Sequence, residues 1–136
     1  MMNEMFASTS IPVLEQMVNF AQSRHAVLAS NLANVDTPGY RTRDLSVDRF
    51  QSKLKQAIDV RDARPGQATS MASASRIDPF ARVGEGLNGI LYHDDGNVGL
   101  EQQVAEITKN HMQHNLALSI LNSQFRLLQA AVAERA

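Results

Sequence analysis

The feature that most restricts how this chain can fold is a repeat near its C-terminal end. Leu100, Val104, Ile107, His111, His114, Leu118, Leu121, Phe125, Leu128 and Val132 follow one another at alternating steps of four and three. That 3.5-residue period is the seam of a coiled coil, sustained without a Pro or Gly from Leu100 to Ala133. At about 1.5 Å per residue such a helix runs roughly 50 Å. From Leu116 onward the apolar residues spread beyond one stripe, because Leu116, Ala117, Ile120, Leu127, Ala130 and Ala131 join the seam. Only Glu101, Glu106, Lys109 and Arg126 carry charge in this stretch, about half the roughly 25% usual for soluble chains. A helix apolar over most of its girth is buried on several sides. A chain of 136 residues cannot surround it alone, so the pattern calls for neighbours.

A second seam lies near the other end: Ile11, Leu14, Val18, Ala21, His25, Leu28 and Leu32, again spaced by threes and fours. Ser10 precedes it and Pro12 falls in its first turn, where a missing N–H is harmless. Glu15 and Arg24 are the only charges between Ile11 and Ala33. An ordinary amphipathic helix packed on one partner carries a charged outer face, and this one does not. Between the two seams the composition changes. All seven Gly, three of the four Pro, nine acidic and nine basic residues lie between Val35 and Leu100. The chain is therefore read as a flexible leader over 1–10, a helix over 11–35, a punctuated middle over 36–96 and a helix over 97–136. The fold class expected is all-α, with the two terminal helices antiparallel in a coiled-coil-like pair that packs as one unit.

The first helix runs into Asn31-Leu32-Ala33-Asn34-Val35-Asp36-Thr37-Pro38-Gly39-Tyr40. Asn34 suits the left-handed conformation that closes a helix. Asp36 suits a side chain folded back on the backbone, and Thr37 is pushed extended by the proline after it. Pro38 and Gly39 fit the central positions of a type II turn, with Tyr40 as the anchor beyond. This decapeptide resembles the signature shared by bacterial flagellar rod and hook proteins, and it stands where that family has it. The short length, Arg41 to Leu45 directly after, and Leu121-Asn122-Ser123-Gln124-Phe125-Arg126 near the end are similar to the proximal rod branch of the family. Near Asp95-Gly96-Asn97-Val98-Gly99-Leu100 the sequence departs from the family, placing Gly99 where an acidic residue is usual; Asn97 remains able to cap the last helix.

The resemblance implies a structural subunit of the periplasmic rod in the basal body, exported by the flagellar type III apparatus. That route needs no cleavable signal, and 1–10 lacks the basic start and apolar centre of one. It also implies, as partners, other rod subunits, copies of the chain itself and, by family analogy, the basal-body adaptor protein and the export gate. The alternative of another class is a soluble coiled-coil adaptor, which has seams but also a charged outer face.

In the middle, Val47, Phe50, Leu54 and Ile58 are near helical spacing and predict a short helix. Ile90-Leu91-Tyr92 predicts one extended piece, and the Ser-, Ala- and Gly-rich run from Arg61 to Arg82 predicts a loop. Arg41, Arg43, Arg49, Lys53, Lys55, Arg61 and Arg64 alternate with Asp44, Asp48, Asp59 and Asp62, the pattern of a solvated surface rather than a phosphate-binding patch. The net charge of −1 gives no attraction to nucleic acid or anionic lipid. No apolar run approaches the 18 residues of a membrane span. The absence of Cys removes thiol catalysis and disulfides. No nucleophile elbow or phosphate-cradling loop is present, so no enzyme activity is expected. If Val35 is level with Leu100, His25 falls opposite Asn110 and His111, with His114 one turn on. Three imidazoles suit zinc, but no acidic fourth ligand accompanies them, and polar seam residues set register. No metal or cofactor is expected.

Overall fold

The computed structural model describes residues 9–63, 80, 83, 91–93 and 99–134. Their elements follow in the order α1 (Ile11–Ala33), β1 (Arg43–Leu45), α2 (Val47–Asp62), β2 (Leu91–His93) and α3 (Leu100–Ala133). The chain is mostly helical, as its patterning requires. The strands form an antiparallel ribbon of three residues each, pairing Arg43 with His93 and Leu45 with Leu91. The extended piece expected around Ile90 to Tyr92 thus lies at Leu91–His93. The leader over 1–8, most of the loop expected from Arg61 to Arg82 and the cap at Asn97 lie outside the described residues; Arg61 and Asp62, read as loop, form the last residues of α2 instead.

The long helices lie side by side and antiparallel. Contacts link Asn31 to Gln103, Arg24 to Glu106 and Ala21 to Asn110, so one helix rises as the other falls. Each begins without a side-chain cap. At the start of α1 the Thr9 hydroxyl accepts from the Ile11 N–H at 3.3 Å. At the start of α3 the Gly99 carbonyl accepts from Gln102 and Gln103. The middle helix is better signposted, for the Ser46 side chain accepts from the Arg49 N–H and Asp48 sits in the first turn.

One apolar cluster lies on the flank of α1 that faces α2, where Phe20 meets Leu45, Phe50, Leu54, Ala57, Phe80 and Val83. Leu14, Ala21 and Leu28 of α1 and Ala117 of α3 are buried outside it. The rings of Phe20 and Phe50 stack with centroids 4.1 Å apart and planes within 10°, a geometry worth about 0.5–1.5 kcal/mol beyond area burial. The α2 stripe explains this placement: Phe50 and Leu54 are buried, while Val47 and Ile58 pack half-buried against the cluster. Arg61, from the same helix, lies 5.9 Å from the centre of the Phe80 ring, pairs with Asp62 and donates to the Thr9 carbonyl. α2 therefore straps the start of α1 as well as covering its side.

Candidate functional site

Two features of this fold bear on function: the junction built from the decapeptide, and the surfaces along α1 and α3. At the junction Asn31 is 1% exposed. Its amide nitrogen donates to the Arg43 carbonyl at 2.6 Å and to the Gln103 side chain at 3.4 Å. Its oxygen accepts from the Arg43 N–H at 3.0 Å and from the Tyr40 hydroxyl at 3.1 Å. One carboxamide thus meets both backbone groups of Arg43, as a neighbouring strand would, and reaches α3 as well. Between its two ends the chain reverses through the expected turn. The Tyr40 N–H donates to the Thr37 carbonyl at 3.1 Å, and Gly39 has φ +77°. A Cβ at Gly39 would meet nothing within 4 Å, so glycine is required there by the backbone angle alone.

Two details differ from the sequence-based expectation. Asn34 does not enter the left-handed region; its φ is −111°, and it closes the helix by donating from its side chain to the Ser30 carbonyl at 2.8 Å. That bond satisfies a terminal carbonyl directly and removes the need for a left-handed cap. Asp36 stays exposed, and Thr37 takes up the turn instead, donating from its backbone N–H to the Asn34 carbonyl at 3.0 Å. Leu32, Ala33, Val35, Thr37 and Pro38 face solvent, and Tyr40 is half-buried.

Along the helix pair the seam is offset from the one drawn by apolarity. One column of α1, Leu14, Ala21 and Leu28, is buried as expected, while Val18 is half-buried. In the other column Ile11 is buried, but His25 and Leu32 are exposed and their neighbours Arg24 and Asn31 are buried in their place. On α3 the buried residues are Gln103, Asn110 and Ala117, each seven after the last. Ile107, His114, Leu121 and Leu128 interleave with them, half-buried. Leu118 is half-buried too, whereas Leu100, Val104, His111, Phe125 and Val132 are exposed.

The reason is hydrogen bonding. Arg24, 4% exposed, donates Nε and Nη2 to the two oxygens of Asp44 at 2.8 and 2.7 Å, and Nη2 also to Glu106 at 2.9 Å. Asp44 holds the guanidinium more firmly protonated than usual, against the opposing effect of burial. Asn110, 1% exposed, donates to the Ala21 carbonyl at 2.7 Å. Three polar contacts therefore set how α3 lies on α1, and Leu100, Val104, Phe125 and Val132 of α3 are turned outward. Reading for apolarity alone missed Arg24, Asp44, Gln103, Glu106 and Asn110. Their signal was present in the seven-residue spacing of Arg24 with Asn31 and of Gln103 with Asn110, in helices otherwise nearly free of charge.

His25, His111 and His114 do come together, lining one groove of about 460 Å³ between α1 and α3 with Val18, Ala21, Asn110 and Leu118. No three His, Asp or Glu among the described residues are placed to hold a metal ion. No described helix is long and apolar enough to cross a membrane. On the outer side of α3, Met112, Leu116, Ile120 and Leu127 are exposed, Leu116 and Leu127 by 62% each.

A family described as flagella basal body rod protein matches residues 19–41, the second half of α1 and the turn. The flagellar basal body rod protein FlgB of Escherichia coli is 30% identical over 119 residues, which cover 82% of this chain and 84% of that protein. The chain belongs to the FlgB family. FlgB of Salmonella typhimurium is 28% identical over 120 residues, covering 82% of this chain and 84% of its own. FlgB of Bacillus subtilis is 24% identical over 126 residues, covering 92% and 94%. Membership in the FlgB family makes this a flagellar rod protein, a structural component rather than an enzyme.

Proposed function

We propose that the chain is a structural subunit of the proximal rod that becomes fully ordered only when the flanks of α1 and α3 are covered by neighbouring rod subunits. The observation that carries this reading is the exposed apolar outer side of α3, Met112, Leu116, Ile120 and Leu127, on a helix already paired with α1. A monomer gains nothing from holding such a surface in water. The neighbours are other rod subunits and copies of the chain, with the basal-body adaptor protein and the type III export gate as further partners by family analogy. The periplasmic rod is its site of assembly after export.

The seam residues and the decapeptide take distinct parts in this reading. Arg24, Asn31, Gln103 and Asn110 set the geometry inside the subunit. Leu32, Val35, Leu100, Val104, Phe125 and Val132, exposed in the single chain, contact neighbours. A helix pair that leaves Leu116, Ile120, Leu127 and Val132 in water offsets only part of its ordering entropy, which suits a chain that must be exported before it is built in. Circular dichroism of the purified chain, alone and with its rod partners, tests this. A gain of helix on mixing is expected, and strong cooperative helix in the monomer, unchanged by partners, would overturn it. A soluble adaptor would need a charged outer face, which α3 lacks.

A further inference from the structure

The two flanks of α3 differ in a way that names a partner. At about 100° per residue, Leu116, Ile120, Leu127 and Glu134 fall on one line along the helix. His111, His114 and Leu118 fall roughly half a turn away around it, where they face His25, Val18 and Ala21 across the groove. The groove holds three imidazoles and no carboxylate. The opposite line is apolar and ends in the exposed carboxylate of Glu134. The lengths agree: His111 to Leu118 and Leu127 to Glu134 each span seven residues, about 10 Å of helix.

We infer that the groove receives the Leu127–Glu134 flank of α3 from a second copy of this chain, with the Glu134 carboxylate accepting hydrogen bonds from the groove imidazoles. The inference rests on the rod-subunit reading above and adds to it which surface meets which. Because groove and ridge lie on different sides of the molecule, the contact is heterologous: each copy uses its ridge on one neighbour and its groove on the other. Such a contact builds a ring or an open helical stack, not a closed two-fold dimer. The apolar part supplies contact area, and the carboxylate fixes which flank is accepted.

Self-association of the full-length chain, followed by sedimentation velocity, tests the pairing. His111→Glu places a carboxylate in the groove, and Glu134→Lys removes the one it receives; each is expected to weaken self-association about tenfold. The double variant should regain most of the loss, and Ser119→Glu, which adds a carboxylate on an exposed face of α3 away from both groove and ridge, should stay near the parent. The chain has no cysteine, so single substitutions give a second readout. Chains carrying Asn115→Cys mixed with chains carrying Ala131→Cys should form the mixed disulfide in preference to either homodisulfide. Single variants without effect, a double variant no better than the singles, or predominance of homodisulfides would overturn the inference. So would a chain that stays monomeric and has its groove covered only by a different rod protein. That last outcome leaves the rod-subunit reading standing, since helix gained with rod partners is measured separately.

Discussion

α1 is held on two sides by different physics. Toward α2 it presents Phe20, flanked by Val13 and Val27, to an apolar cluster. Toward α3 it presents Arg24, Asn31 and the Ala21 carbonyl, and what these receive in return is Glu106, Gln103 and Asn110. The first contact is non-directional and scales with the area removed from water. The second is directional and contributes less net stability per bond, but it tolerates only one register. The difference teaches which part of the molecule is committed to its own fold and which is arranged for others. The α1–α2 side spends its large apolar groups on an internal core. The α1–α3 side spends polar groups on alignment and leaves Leu116, Ile120, Leu127 and Val132 outside.

The largest effect that would break this contrast lies in the core. Phe50→Ala removes the ring stacked on Phe20 and is expected to cost about 3–5 kcal/mol, read as a lost or strongly lowered thermal transition of the full chain. Next comes Arg24→Ala, which strands Asp44 in a partly buried site. Breaking a fully buried pair costs about 3–5 kcal/mol, but the carboxylates here are partly solvated, with side chains 18% and 33% exposed. About 2–3 kcal/mol is therefore expected by chemical denaturation. The guanidinium is held above its ordinary protonation range, so raising the pH through the ordinary alkaline range should not weaken its contribution.

Asn31→Ala sharpens the comparison further. It leaves the Arg43 N–H and carbonyl without their side-chain partner and should cost about 1–3 kcal/mol, with β1 exchanging its amide protons faster. Gly39→Ala should cost about 1–2 kcal/mol, since the turn needs φ +77° while space for the methyl is open. The smallest effect on stability is expected at the outer flank. Leu127→Gln should change the melting of the isolated chain by no more than about 0.5 kcal/mol, yet it should reduce incorporation into rods, measured as motility or as rod content of purified basal bodies.

Much of this organisation was legible in the sequence because it depends on local rules. The extent of α3, the start of α1 at Ile11 with Pro12 in its first turn, the glycine-dependent turn at Gly39 and the Phe50–Leu54 stripe of α2 each follow from spacing or backbone angle. Less legible was the face each helix turns inward. In a coiled-coil pattern one column, such as Ile107, His114, Leu121 and Leu128, is shared by two seams that differ only in the second column. Apolarity selects Val104, His111, Leu118 and Phe125 for that column, whereas hydrogen bonding across the pair selects Gln103, Asn110 and Ala117. Phe20 escaped notice for a related reason: it lies off the seam, and only the tertiary position of α2 reveals why an aromatic stands there. One partner of Arg24, Asp44, comes from β1, a strand too short to announce itself.

The outer side of α3 is wet in the single chain and is expected to be dry in the finished rod. Hydroxyl-radical footprinting of Met112, Leu116, Ile120 and Leu127, compared between the purified chain and intact basal bodies, measures this directly. Strong labelling in the free chain and protection of all four in the basal body are predicted; equal labelling in both would contradict the account.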